Sequence, residues 1–303
     1  MKWVALFPGQ GSQHPQMGLD LFQDHKETLV DRFEMVMGWS LKDACEFATE
    51  EELKKTNVAQ PSIFAISYVY CLEAIKRYGK PSALAGHSLG EYTALAISGV
   101  MNFEDALEII SIRSDAMQRV VETIDSMMCA VLTKEMEITL KDIDSLQKQG
   151  INIWSANFND PGQIVVAGLT DDINYVMKNP KSISARKIIK LDVAGAFHTP
   201  LMSSAKKPLE IALSKIPFNE PFIPVVMNVD AQYTSKNSVK NQLAEQIDSP
   251  ILFLNQLKKL ENDINPKLWL HIGPGDVTSG MAKRSISSGD VLTINSLESL
   301  STT

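Results

Sequence analysis

Five residues, Gly86-His87-Ser88-Leu89-Gly90, restrict what this chain can become more than any other stretch. They fit the pattern G-x-S-x-G, and their flanks fit as well. The apolar run Ala83-Leu84-Ala85 comes just before, and a helix-forming run over 89–97 follows. A strand that turns at once into a helix through such a sequence is a nucleophile elbow. Its glycines permit the sharp bend, and its serine hydroxyl is exposed beside helix-terminal N–H groups. The plain alternative, a tight turn with an ordinary serine, does not account for the strand and helix on either side.

The rest of the chain can be arranged around this elbow. Residues 2–7 read as a buried first strand that empties into the Gly-rich loop Pro8-Gly9-Gln10-Gly11-Ser12-Gln13. Helical periodicity then dominates to Tyr78, where Gly79-Lys80-Pro81 breaks it. Between 128 and 193 the order changes. Apolar runs at 128–132, 151–156, 163–168 and 186–191 alternate with amphipathic stretches near 140–149 and after Thr170. This β-α-β-β-α-β succession is the ferredoxin-like pattern. The expected fold is therefore α/β, with an α/β-hydrolase-like large domain over 1–125 and 194–303 and an inserted ferredoxin-like subdomain over 126–193. Strands are expected at 225–229 and 268–272, a loop at 217–224, and a frayed polar tail over 296–303.

Composition narrows the function without naming it. The 303 residues, 44% hydrophobic and 21% charged, suit a soluble enzyme with a sizeable core. A formal charge of −7 argues against a nucleic-acid partner, which needs a surplus of Lys and Arg. Cys45, Cys71 and Cys129 form no CxxC pair and are odd in number, so they read as buried free thiols in a reducing compartment. The apolar start is too short for a secretory signal. The apolar region 63–75 is interrupted by Ser67 and Glu73 and falls short of the ~18 residues of a membrane span. These features point to a cytoplasmic protein with no membrane partner.

A serine hydroxyl is a weak nucleophile at neutral pH and needs a base, for which histidine has the suitable pKa. The chain offers His14, His25, His87, His198 and His271, and spacing alone does not choose among them.

Three segments, 7–13 (FPGQGSQ), 86–92 (GHSLGEY) and 195–202 (GAFHTPLM), together resemble the malonyl-CoA:acyl carrier protein transacylases. Segments 156–163, 246–250 and Gly273-Pro274-Gly275 are similar in order and spacing, so the resemblance runs end to end. It implies Ser88 as nucleophile, His198 as base and acid, and the main-chain carbonyl of Gln246 in place of the usual third carboxylate. It implies an oxyanion hole from the N–H groups of Gln10 and Leu89. It implies Arg113, rather than Arg119 on the same helix, as the fork for the malonyl carboxylate. Phe197 resembles the bulky residue of malonyl-selective members, and Asn157 and Gln163 read equally as polar lining or as turn residues near Pro161-Gly162. Asp192 reads as a surface or strand-end residue.

The expected substrates are malonyl-CoA and a phosphopantetheinylated acyl carrier protein. No metal and no bound cofactor are expected, and the chain is expected to act as a monomer. Arg186, Lys187, Lys190, Lys206 and Lys207 are candidates for a carrier-facing patch, and a solvated charged face is the plain reading of each. The family's Pro-Phe-His reads Ala196-Phe197-His198 here, and Tyr92-Thr93, Met128-Cys129 and Met227-Asn228 are less common variants. These departures weaken a housekeeping fatty-acid role against that of a stand-alone relative serving polyketide synthesis, and both pathways stay open. Two rivals are an acyl hydrolase built on the same machinery, which predicts a non-basic residue at Arg113, and an idle docking module, which predicts loss of Ser88 or His198.

Overall fold

A computed structural model describes residues 2–193 and 195–302. Residues 1, 194 and 303, which bound the expected large-domain segments, lie outside the described residues. Strand β1 (Trp3–Phe7) is buried at every position, as a continuous apolar run should be in the middle of a parallel sheet. It lies between β2 (Ala83–Gly86) and β8 (Leu268–Ile272), with β7 (Val225–Val226) outside β2 and β9 (Asp290–Ile294) outside β8. The order β7-β2-β1-β8-β9 is parallel throughout.

Two details of this sheet differ from the sequence expectation. β7 covers only Val225–Val226 of the expected 225–229, because the chain leaves the ladder at Met227. β9 was not expected: it is an edge strand whose residues are mostly part-exposed, so it lacks the apolar run of the inner strands.

Helices cover this sheet. After three short ones, Phe33–Met37 (α1), Leu41–Phe47 (α2) and Glu50–Lys54 (α3), the helices α4 (Thr56–Tyr78), α5 (Gly90–Ile97) and α6 (Phe103–Thr123) follow. α4 runs longer than the apolar stretch suggested and is long and apolar enough to cross a membrane. However, 72% of that stretch is buried inside the fold, as befits a core helix. α6 starts at Asn102, whose side chain accepts the Asp105 N–H at 2.7 Å. Its buried stripe includes Ala106, Ile110, Arg113, Met117 and Val120, so one cation occupies an apolar row.

The inserted unit has β3 (Ser126–Leu132), α7 (Met136–Lys148), β4 (Ile153–Asp160), β5 (Gln163–Leu169), α8 (Thr170–Lys178) and β6 (Lys187–Lys190). Its antiparallel sheet has the order β4-β5-β3-β6, the ferredoxin-like arrangement that the element succession implies. Side chains alternate along β3. Met127, Cys129 and Val131 pack under the two helices, whereas Met128 and Ala130 face the larger unit. Edge strand β4 is stitched to that unit: Phe158 N–H donates to Ile251 O at 2.8 Å, and Ile251 N–H to Ala156 O at 2.9 Å.

The chain then completes the large sheet's cover with α9 (Lys206–Leu213), α10 (Val239–Gln246), α11 (Phe253–Ile264) and α12 (Val277–Ser285). The expected frayed tail instead forms α13 (Leu297–Thr302). Asp20 anchors its start by accepting the Leu297 N–H at 2.6 Å. The cysteines are free and buried, and burial pushes the Cys45 and Cys129 thiols up to about 12.

Candidate active site

The elbow forms where β2 passes into α5, and both of its glycines are sterically required. A Cβ on Gly90 would lie 2.3 Å from the Phe7 carbonyl oxygen, and one on Gly86 would lie 1.9 Å from the Gly90 carbonyl carbon. Ser88 sits between them at φ +51°, the left-handed region that a non-glycine residue occupies only under constraint. The constraint comes from Asn228, just beyond β7. Its Oδ1 accepts the Ser88 N–H at 2.8 Å, and its Nδ2 donates to Gly86 O at 2.7 Å. One side-chain amide thus replaces the ladder bonds that the sharp turn removes.

Of the five histidines, geometry selects His198. Its Nε2 lies 2.7 Å from Ser88 Oγ, and its Nδ1 lies 2.7 Å from Gln246 O. A carbonyl only accepts, so Nδ1 carries the hydrogen and Nε2 is free to accept the serine proton. His198 is also at positive φ, +62°. Burial, reinforced by the Arg113 charge, pushes its imidazole down to about 3, so it rests in the neutral, proton-accepting form. The other histidines are engaged elsewhere. His87 turns to Asn159 Oδ1 at 2.9 Å, His271 to Thr278 Oγ1 at 2.6 Å, and His25 to Glu73 at 2.9 Å, while His14 contacts Pro15 O at 2.9 Å. Asp192 is largely exposed, pairs with Lys54, and makes no bond to His198.

Arg113 is fully buried. Its Nη1 donates to Gln60 Oε1 at 2.6 Å, and its Nη2 to Gln246 Oε1 at 2.9 Å and Ser88 Oγ at 3.2 Å. The Tyr92 ring lies beneath the guanidinium, with its centroid 5.3 Å away. Burial pushes its pKa down, but an arginine remains a cation in proteins. None of the ion pairs among the described residues includes it. Arg119, by contrast, is exposed.

Ser88 and His198 open on a cavity of about 440 Å³. Gln10, Asn157, Gln163 and Phe197 line it, and Met128, Ala130 and Ile189 of the ferredoxin-like sheet form a wall. The main-chain N–H groups of Gln10 and Leu89 donate to no protein acceptor among the described residues.

Four participants were not legible in the sequence: Gln60, Asn228, Glu91 and the side chain of Gln246. Glu91 is buried on α5. Its Oε1 accepts the Asn228 N–H at 2.6 Å and its Oε2 accepts Gln246 Nε2–H at 2.5 Å. Burial pushes its carboxyl up to about 8, against these two bonds and the Arg113 charge, which favour the ionised form. Glu91 directly follows the elbow, but nothing local marked it as a site residue.

An elbow serine, a carbonyl-held histidine and a buried cation beside the serine define a serine-dependent acyl-transfer enzyme on an α/β scaffold. Comparison with known proteins narrows this class. The acyl transferase domain family matches residues 4–291. The malonyl CoA-acyl carrier protein transacylase of Bacillus subtilis (strain 168) is 34% identical over 93% of this chain and 90% of its own length. A polyketide biosynthesis malonyl CoA-acyl carrier protein transacylase of Bacillus velezensis is 34% identical over 92% of this chain and 95% of its own. A solved malonyl-transacylase, in complex with a type II polyketide synthase acyl-carrier protein, superposes with a TM-score of 0.93 at 31% identity, covering 100% of this chain and 98% of that one. The chain belongs to the malonyl-CoA:acyl carrier protein transacylase family of acyltransferases.

Proposed function

We propose that the protein transfers a malonyl group from malonyl-CoA to the phosphopantetheine thiol of an acyl carrier protein by way of a malonyl-Ser88 intermediate. Ser88 Oγ attacks the thioester carbonyl carbon while His198 Nε2 takes its proton. The tetrahedral intermediate then collapses, the C–S bond breaks, and His198 returns the proton to the departing coenzyme A sulfur. In the second half-reaction the carrier thiol attacks the acyl-serine carbonyl and gives its proton to His198. The C–O bond breaks and Ser88 Oγ recovers the proton. The Gln10 and Leu89 N–H groups stabilise the oxyanion in both halves, and losing one such donor typically costs ~2.7–4 kcal/mol of barrier. The reaction needs no resident cofactor, and one chain supplies every group it uses.

The observation that carries this reading is Arg113: a buried cation 3.2 Å from the nucleophile, satisfied on the protein side only by neutral oxygens. Among the described residues no carboxylate contacts this buried charge directly, and a substrate carboxylate supplies that partner in the bidentate geometry that arginine favours. The same feature speaks against a general acyl hydrolase. Phe197, buried against the cavity, leaves little room for an α-methyl branch. Among the candidate carrier-facing cations, Lys206 is tied to Asp248 and Lys207 to Glu210. Arg186, Lys187 and Lys190 are exposed and form no ion pair among the described residues, lie next to the cavity-lining Ile189, and suit an acidic carrier better. The buried thiols fit a cytoplasmic setting. Carriers of fatty acid and of polyketide synthesis are both compatible with the relatives matched.

Labelled malonyl-CoA and acetyl-CoA, each with and without a phosphopantetheinylated carrier protein, test the proposal. Malonyl label should accumulate on the carrier in preference to acetyl. Release of the label as free acid in the presence of carrier would favour the hydrolase instead.

A further inference from the structure

Gln246 is the hub on which the site turns. Its main-chain oxygen holds His198, its Oε1 faces Arg113, and its Nε2 donates to Ser88 O at 2.9 Å and to Glu91 Oε2 at 2.5 Å. A side-chain amide can be turned over, exchanging oxygen for nitrogen, so something must fix which atom faces the cation. Arg113 can only donate, the Ser88 carbonyl can only accept, and an ionised Glu91 can only accept. All three agree on one orientation, and Glu91 makes the shortest of these contacts. Glu91 is itself held by the Asn228 N–H, so the carboxylate is locked between two donors.

We infer that Glu91 is a specificity-determining positioning residue: by fixing the Gln246 amide it holds the Arg113 fork in the direction that receives the malonyl carboxylate. The inference rests on the malonyl-transfer reading above. The Glu91 carboxylate bonds to neither the Ser88 hydroxyl nor His198, so its influence on acyl choice passes through Gln246.

An amide at position 91 cannot reproduce this arrangement. In Glu91→Gln one of the two side-chain atoms becomes a donor, so it faces either the Asn228 N–H or Gln246 Nε2 with a hydrogen. Gln246 then either loses its partner or turns over, and turning places its NH₂ against Arg113 and its oxygen against the Ser88 carbonyl. Turning over takes the acceptor away from the fork, and losing the partner removes the shortest bond that holds the acceptor in place. A protonated Glu91 has the same defect, since its O–H becomes a donor. Facing Glu91 are Arg113 and Tyr92 from the helices, Asp230 from the loop after β7, and His198 beyond Gln246. Burial pushes Tyr92 up and His198 down to about 3, well away from the range near 8 where Glu91 changes charge.

The test measures malonyl and acetyl transfer to the carrier at about pH 9, where the carboxylate prevails. Wild type, Glu91→Gln, Gln246→Met and the double variant are compared, with Arg113→Ala as reference. Gln246→Met keeps the main-chain carbonyl that holds His198 and removes only the amide. The malonyl kcat/KM of Glu91→Gln should fall by about tenfold, mostly through KM, with acetyl transfer falling less than about threefold. In the Gln246→Met background the Glu91 change should add no further loss of selectivity. An unchanged malonyl-to-acetyl ratio in Glu91→Gln, or additive losses in the double variant, overturns the inference. Because a buried substitution can impair folding, wild type supplies an independent reading: its malonyl-to-acetyl ratio should rise as pH increases through about 8, and a flat ratio contradicts the claim. A wild type that transfers both acyl groups equally at every pH overturns the malonyl reading itself, and this inference with it.

Discussion

Replacing Arg113 by alanine should convert a malonyl-selective enzyme into one that favours acyl groups without a carboxylate. The guanidinium supplies the carboxylate with charged hydrogen bonds worth about 1.5–3 kcal/mol each, so two of them place the expected loss at about 3–6 kcal/mol. That is roughly 10²- to 10⁴-fold in malonyl kcat/KM. Acetyl transfer follows a different course, because acetyl has no group to pair with the cation. Removing Arg113 also removes a charge that holds the His198 imidazole down, which makes the base stronger. Acetyl kcat/KM should therefore hold steady or rise. Stability is a separate term: Gln60 Oε1 and Gln246 Oε1 each lose a donor in a buried setting, at about 1–3 kcal/mol apiece. Acetyl transfer by the same preparation controls for misfolding. The assay follows both acyl groups from coenzyme A to the carrier. A parallel fall in malonyl and acetyl rates, or a malonyl loss below about tenfold, would refute the assignment of Arg113 to the carboxylate.

Asn228→Ala should leave the Ser88 N–H and Gly86 carbonyl without their shared partner, lowering kcat for both acyl groups alike and the melting temperature with it. Equal kcat with a lower melting temperature would show that the clamp serves the fold alone. Phe197→Ala should admit methylmalonyl-CoA, lowering the preference for malonyl-CoA in direct competition by about 1–3 kcal/mol. No change in that competition would remove Phe197 from the selectivity wall. The depressed pKa of His198 means the folded state resists protonating it, so its contribution to stability is present above about 6.5 and is lost as pH falls toward about 3. Thermal melts from neutral to acidic pH should show a steeper decline in wild type than in His198→Gln, and identical slopes would contradict the burial argument.

What the sequence revealed depended on how local the signal was. Gly86-His87-Ser88-Leu89-Gly90 carries its own geometry, because two close backbone contacts demand its glycines, and strand, turn and helix are contiguous. The ferredoxin-like unit was legible because its six elements follow in order with the right periods. Arg113 was named by resemblance, yet its place in the stripe of Ile110 and Met117 is a signal that periodicity alone offers: a cation among buried positions. β9 escaped because an edge strand needs no apolar run, and the frayed-tail reading failed because Asp20, far away in the chain, caps the last helix. Glu91, Asn228 and the Gln246 amide were illegible for a related reason. They meet from three separate elements, and each residue on its own reads as ordinary polar sequence.

The most direct test of the account maps the acyl-enzyme. Wild type is incubated with malonyl-CoA, digested and analysed by mass spectrometry, and a second portion is chased with phosphopantetheinylated carrier protein before digestion. The account predicts a malonyl adduct on the peptide containing Ser88 that disappears in the chase as malonyl-carrier forms, with none in Ser88→Ala. An adduct elsewhere, or carrier acylation that persists in Ser88→Ala, would contradict it.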